Sequence, residues 1–217
     1  MPPPYRGRVF RNRQHAGEQL GERIRTLGIR DAVVLGLPRG GVPVAAEVAR
    51  ALAAPLDVIL VRKLGSPSNP EYAMGAIGEE GVRVVHPQIL DALHVSAEQL
   101  ATIERAERVE LERRAARYRG GMQPLDLRGR AAVIVDDGIA TGSTAEAACE
   151  VAASRGAHQI VLATPVAPAD WMETLGEHAD DFVALETPEA FFAVGQAYAV
   201  FDQTSDGEVL AALATRR

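Results

Sequence analysis

The sequence contains almost no cysteine. Its 217 residues include a single one, Cys149, so no disulfide can form within the chain. Such a composition is typical of proteins kept in a reducing compartment, and we expect a cytoplasmic location. Cys149 lies in a helical-looking segment at residues 144–156, where we expect a small buried apolar residue rather than a reactive thiol.

The sequence also lacks a long apolar run and an excess of positive charge. No stretch approaches the roughly 20 apolar residues that span a bilayer, and the segment MPPPYRGRVF lacks the apolar centre of a signal peptide. The formal net charge is −6, which disfavours a general basic face for nucleic acid. We therefore expect a small-molecule ligand, with neither a membrane nor a nucleic acid as partner.

Short apolar runs alternate with helical segments through most of the chain. This order predicts an α/β fold with an open, mainly parallel sheet flanked by helices, because parallel neighbours need helical crossovers. We expect one domain over residues 1–217. The predicted strands are DAVVLGL, LDVILVRKLG, RAAVIVDD, HQIVLATPVA and DDFVALETP.

The alternation is interrupted at about residues 64–128. Prolines indicate a loop there, GEEG between two short β-like runs suggests a hairpin, and a long charged helix follows. Ser96 is the predicted N-cap of that helix and Gly120 its end. Residues at about 167–217 form a C-terminal segment.

The segment VIVDDGIATGST, residues 133–144, ends a predicted strand with two adjacent carboxylates, Asp136 and Asp137. A helix N-terminus follows, and such a terminus attracts anions. The carboxylates could accept hydrogen bonds from vicinal hydroxyls, so the pattern predicts a site for a ribose 5-phosphate. A simple capped turn is the alternative interpretation. The residues expected at the phosphate are Gly138, Ala140, Thr141, Gly142, Ser143 and Thr144.

This segment resembles the signature of type I phosphoribosyltransferases, which use 5-phosphoribosyl pyrophosphate (PRPP). The resemblance covers about residues 31–166, and FRNRQHAG, LGLPRGGVPVA and FFAVGQAYAVFDQTSDGEV resemble an uncharacterised branch of the family. It implies Mg²⁺-dependent transfer between PRPP and a nitrogenous, nucleobase-like acceptor, with release of pyrophosphate, or the reverse. It implies that Mg²⁺ is bound through PRPP, with contacts to Asp136 and Asp137 through water rather than directly. A homodimer and a variable "hood" over the site, here residues 167–217, are also implied.

The loop GLPRGG, residues 36–41, ends the first predicted strand. Its backbone N–H groups and Arg39 could hold a diphosphate, and the resemblance implies a pyrophosphate loop at Pro38, Arg39, Gly40 and Gly41. Lys63 ends the second predicted strand, where the family often has a basic residue near the pyrophosphate. A solvated turn and a solvated strand end are the alternatives. The catalytic assignment is therefore Asp136, Asp137, Arg39 and Lys63.

The interrupted region should carry a mobile loop that closes over PRPP and excludes water. Candidate closing cations are Arg117 and Arg119, and Tyr118 could stack on an acceptor ring. The charged helix itself is predicted to be mostly a solvated face. A basic run near the N-terminus is predicted to be a solvated arm; it contains Arg6, Arg8, Arg11 and Arg13.

A general acid or base is hard to find in the sequence. Hypoxanthine- and guanine-using family members carry a carboxylate two residues before the signature glycine, and here that position is Ala140. This argues against that subgroup. Glu71, His86 and His94 are conceivable substitutes, although each is expected at the surface. Aromatic residues of the C-terminal segment are expected mainly in the core, with one available to roof the acceptor; they are Phe191, Phe192, Tyr198 and Phe201.

Two functions remain open from the sequence. The first is an enzyme that transfers the phosphoribosyl group. The second is a non-catalytic module that senses PRPP or a nucleotide, which the missing carboxylate at position 140 keeps open.

Overall fold

The computed structural model describes residues 10–69 and 72–214. Helices and strands alternate through most of this part of the chain. The helices are α1 (Arg13–Arg25), α2 (Gly41–Leu52), α3 (Pro87–Ala92), α4 (Ala97–Arg119), α5 (Ser143–Ser154), α6 (Trp171–Leu175) and α7 (Asp206–Leu213). The strands are β1 (Ala32–Gly36), β2 (Leu56–Val58), β3 (Val61–Gly65), β4 (Ala73–Gly78), β5 (Arg83–Val85), β6 (Ala131–Val135), β7 (Gln159–Val166) and β8 (Asp181–Glu186).

The main sheet has the strand order β2-β1-β6-β7-β8, and every neighbouring pair in it is parallel. Helix α2 connects β1 to β2, α5 connects β6 to β7, and α6 lies between β7 and β8. These are the crossovers that a parallel sheet requires. The predicted open, mainly parallel sheet flanked by helices is confirmed.

Both faces of the main sheet are buried. In β1, Val34 packs in a cluster with Leu20 of α1 and residues of α2, whereas Val33 packs on the other face with Cys149 of α5. Burial on two faces explains why these strands are continuous apolar runs rather than alternating ones. Cys149 is fully buried, and burial raises the pKa of its thiol to about 12. The predicted role of Cys149 as a buried apolar residue is confirmed.

A second sheet, β3-β4-β5, is antiparallel. The segment LDVILVRKLG was predicted to form one strand of the main sheet, and this is wrong: β2 ends at Val58, and β3 pairs with β4 of the second sheet. Ile59 and Leu60, between the strands, are both buried but belong to different apolar clusters. A continuous apolar run does not distinguish one buried strand from two strands of different sheets.

Helix α4 has the predicted ends. The Ser96 hydroxyl accepts a hydrogen bond from the Gln99 N–H, the Gln99 side chain accepts one from the Ser96 N–H, and Gly120 adopts a left-handed conformation (φ +55°). Both features terminate helices. Among the residues that the structure describes, no helix, α4 included, is long and apolar enough to cross a membrane.

The C-terminal segment returns to the start of the described chain. A 3₁₀ turn at Val194–Ala197 precedes Tyr198, which forms a parallel β bridge with Phe10. Both rings are buried and their centroids are 5.5 Å apart. This contact places the C-terminal segment and the N-terminus of α1 together at one edge of the main sheet, where β6 ends.

Candidate active site

Strands β1 and β6 are neighbours, so the loops that follow them, at residues 36–41 and 136–144, meet at the carboxyl edge of the sheet. A Cβ atom at Gly40 would lie 2.0 Å from a carboxylate oxygen of Asp137, and one at Gly41 would lie 2.5 Å from a backbone oxygen of β6. A side chain at Gly41 would collide with the backbone after β6, and one at Gly40 would force the Asp137 carboxylate to move. The two glycines therefore allow the predicted pyrophosphate loop to contact the predicted ribose-binding carboxylates.

The two carboxylates have different surroundings. An Asp136 carboxylate oxygen accepts the Asp137 N–H at 2.9 Å. Burial, and then the negative charge of Asp137, raise the pKa of the Asp136 carboxyl well above its ordinary value. Asp136 also lines a cavity of 170 Å³ together with the loop residues at 138–142. It therefore faces the space where a phosphate ester would lie.

Asp137 is held by groups that the sequence analysis did not assign to the site. The Arg13 guanidinium donates to its carboxylate at 2.6 Å, and the Tyr198 hydroxyl donates to its backbone oxygen at 2.6 Å. Arg13 also donates to the Asp202 backbone oxygen and lies 4.0 Å above the Phe201 ring. The prediction of a solvated arm was therefore wrong for Arg13.

For the other arginines of that basic run, the structure tests the predicted solvent exposure of Arg11 alone. Arg11 is exposed, as expected. Arg6 and Arg8 lie outside the described residues.

The loop after Asp137 bends as predicted into the N-terminus of α5. Gly142 has a φ of +79° and precedes Ser143, the first residue of the helix. The hydroxyl oxygens of Thr141 and Ser143 are 3.3 Å apart. The first N–H groups of a helix have no partner within the helix, so this arrangement suits an anion. Ala140 and Thr144 belong to the same loop and helix start, and both line the 170 Å³ cavity.

Lys63 reaches this loop from the second sheet. Its Nζ lies 3.3 Å from the Ser143 hydroxyl oxygen. Lys63 also lines a larger cavity of 630 Å³, which Pro38 and Thr144 line as well. The cavity extends between the end of β1, strand β3 and helix α4. Lys63 therefore lies between the two predicted binding loops, although its strand belongs to a different sheet from the one expected.

Arg39 follows a cis peptide bond with Pro38, and its guanidinium lies 4.0 Å from an Asp206 carboxylate oxygen. Arg117 pairs with the same carboxylate at 2.6 Å, and the Tyr118 hydroxyl donates to it at 2.6 Å. Arg117 is half-exposed, and it lies near Arg39 because both face the Asp206 carboxylate. Tyr118 is buried, and burial together with its bond to Asp206 raises the pKa of the hydroxyl. Stacking of Tyr118 on an acceptor ring is not compatible with this packing.

Arg119 is not a closing cation. It is 4% exposed, and its guanidinium donates to Asp57, to Glu79 and to the Val58 backbone oxygen. Asp57 belongs to the main sheet and Glu79 to the turn after β4 in the second sheet. Arg119 therefore ties the end of α4 to both sheets. Its position in the sequence next to Arg117 gave no sign of this difference.

The candidate acid–base residues do not converge on the two loops. His94 is exposed, His86 pairs with Glu150 of α5, and Glu71 lies outside the described residues. Among the aromatic residues, Tyr198 and Phe201 stack at 4.9 Å, Phe191 is partly buried, and Phe192 is 74% exposed. No described residue of these two sets fills the place of the missing carboxylate at position 140.

The structure brings the predicted binding residues to one edge of the sheet: Asp136, Asp137, Gly138, Ala140, Thr141, Gly142, Ser143 and Thr144 with Pro38, Arg39, Gly40, Gly41 and Lys63. The sequence named Arg13 as part of a solvated arm and Tyr198 as a core or roofing aromatic, and it did not indicate Asp206 at all. Arg13 and Tyr198 lie 124 and 61 positions from Asp137, and Asp206 lies 88 positions from Tyr118. Nothing in their local pattern indicates the pairing.

A five-stranded parallel sheet flanked by helices, with a helix N-terminus and two carboxylates at its carboxyl edge, matches the type I phosphoribosyltransferase fold. The phosphoribosyl transferase domain model matches residues 10–199. The chain therefore belongs to the phosphoribosyl transferase family.

Relatives agree with this assignment. The Mycobacterium tuberculosis protein Rv0571c (strain H37Rv), provisionally named a phosphoribosyl transferase, is 54% identical over 206 residues. That match covers 95% of this chain but 46% of the relative, so the chain spans about half the length of this relative.

Among solved structures, the protein TT1426 from Thermus thermophilus is similar with a TM-score of 0.90 and 45% identity, covering 96% of this chain and 99% of that one. A hypothetical protein from Neisseria gonorrhoeae with bound ppGpp has a TM-score of 0.50 and 14% identity, over 97% and 98% of the two chains. The second likeness concerns the fold alone.

Proposed function

We propose that this protein transfers a phosphoribosyl group between PRPP and a nitrogenous, nucleobase-like acceptor with Mg²⁺, in either direction. The observation that supports this most is the contact between the two strand-end loops, in which Gly40 abuts Asp137. That contact would hold a pyrophosphate and a ribose diol within the span of one small ligand. In the forward reaction the bond from C1 of the ribose to the pyrophosphate oxygen breaks and the pyrophosphate leaves with the electron pair. The acceptor nitrogen forms the C1–N bond with its own electron pair and releases its proton to the departing pyrophosphate or to water.

Each part of PRPP has a corresponding set of groups. Asp136 and Asp137 would accept hydrogen bonds from the 2- and 3-hydroxyls of the ribose. The loop at residues 138–144, with Lys63 beside Ser143, would bind the 5-phosphate. The loop at residues 38–41 would bind the pyrophosphate, and Arg39 would stabilise its charge as it leaves.

The residues present fit Mg²⁺ held mainly by the substrate. Mg²⁺ prefers oxygen ligands and usually keeps several waters. Asp136 and Asp137 offer carboxylate oxygens, and Arg13 already engages one oxygen of Asp137, which suits contact through water. When bound, the ion would neutralise charge on the pyrophosphate.

The 630 Å³ cavity is the proposed space for the acceptor. It adjoins Pro38 and Thr144 and is bounded by α4. We propose that the region at residues 64–128 and the C-terminal segment at residues 167–217 close around it and exclude water. Water exclusion would protect a reactive sugar cation from hydrolysis.

A sensor of PRPP or of a nucleotide is the alternative function. Position 140 carries Ala, which cannot move a proton, and His86 and His94 lie elsewhere. The binding groups are the same in both functions, so turnover distinguishes them. A cytoplasmic homodimer without nucleic-acid or membrane partners is part of the proposal.

Thermal shift with PRPP and Mg²⁺ tests the binding site. We expect millimolar PRPP with Mg²⁺ to raise the Tm of the wild type, and the double variant Asp136→Asn, Asp137→Asn to lose the shift. Gly40→Ala should lose it as well, because the added methyl group would collide with Asp137. The control for the double variant is Asp91→Asn with Asp126→Asn, since both aspartates are exposed. The control for Gly40→Ala is Gly207→Ala, because a Cβ atom added at Gly207 would have its nearest neighbour at 3.8 Å.

A screen of nucleobases for pyrophosphate release then separates the two functions. Release with one acceptor supports the transferase, and tight PRPP binding without release supports the sensor. The absence of a shift in the wild type would contradict both.

A further inference from the structure

A second group of polar side chains surrounds helix α5 on the side of the second sheet. None of its members lines the two cavities of the candidate active site. They come from three separate parts of the fold: the residue before α3, helix α5, and the 3₁₀ turn after α6. The group consists of His86, Glu146, Glu150 and His178.

The donor atoms lie close together. His86 Nε2 is 3.2 Å from a Glu150 carboxylate oxygen, and His178 Nε2 is 3.3 Å from a Glu146 carboxylate oxygen. One donor atom each of His86, Glu146 and Glu150 lies within 4.8 Å of the other two. A tetrahedral ion with bonds of about 2.0–2.1 Å places its ligand atoms about 3.3–3.4 Å apart. The two His–Glu distances match that value, and His178 Nδ1 lies 3.8 Å from the same Glu150 oxygen that His86 contacts, so His178 is the fourth ligand beside the group of three.

The charge of the group needs a counterpart. Glu146 and Glu150 are four residues apart on α5, so their carboxylates share one face of the helix and repel each other. The Glu150 side chain is 11% exposed, so water screens it poorly. The imidazoles of His86 and His178 are good metal ligands as neutral rings. They approach the two carboxylates from two different parts of the fold. A divalent cation would satisfy both carboxylates and both rings at once.

We propose that His86, Glu146, Glu150 and His178 bind one divalent transition-metal ion of the Zn²⁺ type. Two imidazole nitrogens with two carboxylate oxygens suit Zn²⁺, whereas Mg²⁺ and Ca²⁺ prefer oxygen ligands only. This ion is separate from the Mg²⁺ expected with PRPP.

The ion would connect the second sheet to the helix that begins at the phosphate loop. His86 follows β5, and its backbone N–H donates to Met74 of β4. The side of α5 facing this sheet packs tightly, since a Cβ at Gly78 would lie 2.7 Å from Val151. An ion held between His86 and Glu150 therefore fixes the second sheet, and Lys63 with it, against α5.

Equilibrium dialysis of the full chain, without an affinity tag and stripped by a chelator, tests the proposal with Zn²⁺ alone and Mg²⁺ alone. We expect one bound Zn²⁺ per chain, no Mg²⁺ at the same concentration, and a rise in Tm of about 5 °C or more at a hundredfold excess over Kd. His86→Ala and Glu150→Gln should each weaken Zn²⁺ binding at least tenfold. His158→Ala, at an exposed histidine outside the group, should bind Zn²⁺ like the wild type.

The double variant Asp136→Asn, Asp137→Asn separates this proposal from the proposed function. We expect it to keep its Zn²⁺ equivalent while it loses the PRPP shift. Circular dichroism of the metal-free variants checks that each is folded. No bound Zn²⁺ in the wild type, unchanged Zn²⁺ binding in folded His86→Ala and Glu150→Gln, or loss of the Zn²⁺ equivalent in the double variant would each overturn the assignment.

Discussion

At the scale of single residues, the environment of Asp136 has a direct consequence for stability. Burial and the charge of Asp137 raise the pKa of its carboxyl in the folded protein. The unfolded chain has an ordinary aspartate pKa of about 3.9. Between those two values the folded state binds more protons than the unfolded state, so stability falls as the pH rises through the folded-state pKa. We therefore expect ionised Asp136 to lower the stability of the folded protein.

Asp136→Asn removes the charge and keeps an oxygen that can accept the Asp137 N–H. We expect a higher Tm than that of the wild type at pH 7–8, by about 3 °C, which corresponds to about 1 kcal/mol in a domain of this length. The difference should shrink as the pH falls towards 4. Differential scanning fluorimetry from pH 4 to 8 measures it. The control is Asp126→Asn, at an exposed carboxylate whose pKa Arg128 lowers to about 2, and it should give no increase in Tm. A lower Tm for Asp136→Asn at every pH would contradict the predicted cost of the Asp136 charge.

At the scale of elements, the C-terminal end of α4 is the junction between the two sheets. Arg119 is enclosed there by Asp57 of β2 and Glu79 of the β4–β5 turn. The adjacent Arg117 instead extends to Asp206 and the candidate active site. One turn of helix thus provides a structural anchor and a cation at the edge of the site.

Arg119→Ala removes the guanidinium that pairs with the largely buried carboxylates of Asp57 and Glu79. Removing one member of such a group costs about 3–5 kcal/mol, and we expect a loss of that size in urea unfolding. Arg113→Ala, on the same helix but exposed and paired with Glu110, should have little effect. Equal losses in the two variants would show that the buried pairing of Arg119 has no special role.

At the scale of the whole molecule, Arg13 joins three regions that are far apart in the sequence. It begins α1, pairs with Asp137 after β6, and contacts Phe201 and the Asp202 backbone in the C-terminal segment. The same region holds the bridge between Phe10 and Tyr198. Residues near the two ends of the described chain, Arg13 and Tyr198, therefore hold Asp137 in place.

Arg13→Ala should destabilise the fold, and it should also release the C-terminal segment around Phe201 and Asp202 from Asp137. Loss of a hydrogen bond to a charged group costs about 1.5–3 kcal/mol, and we expect a urea-unfolding loss in that range. The exposed neighbour Arg11 provides the matched control, Arg11→Ala. Limited proteolysis should cleave the C-terminal segment faster in Arg13→Ala only; unchanged cleavage would mean that Arg13 does not hold this segment.

Much of the fold could be predicted because its signals are local. Continuous apolar runs indicated β1, β6 and β7, and the caps Ser96 and Gly120 marked the ends of α4. The assignment failed at residues 56–65, where one apolar run serves two sheets. Strand membership depends on pairing with distant residues, and local pattern contains no information on that pairing.

The sequence by itself determined the parallel sheet, because apolar runs act within a few residues of one another, and the family, because the segment at residues 133–144 resembles a known signature. Only the tertiary structure decided that Arg13 holds Asp137, that Arg119 is buried while Arg117 reaches Asp206, and that two histidines meet two glutamates beside α5. Electrostatic pairing acts through space over a few ångströms, and packing brings together charges that the chain separates by many residues.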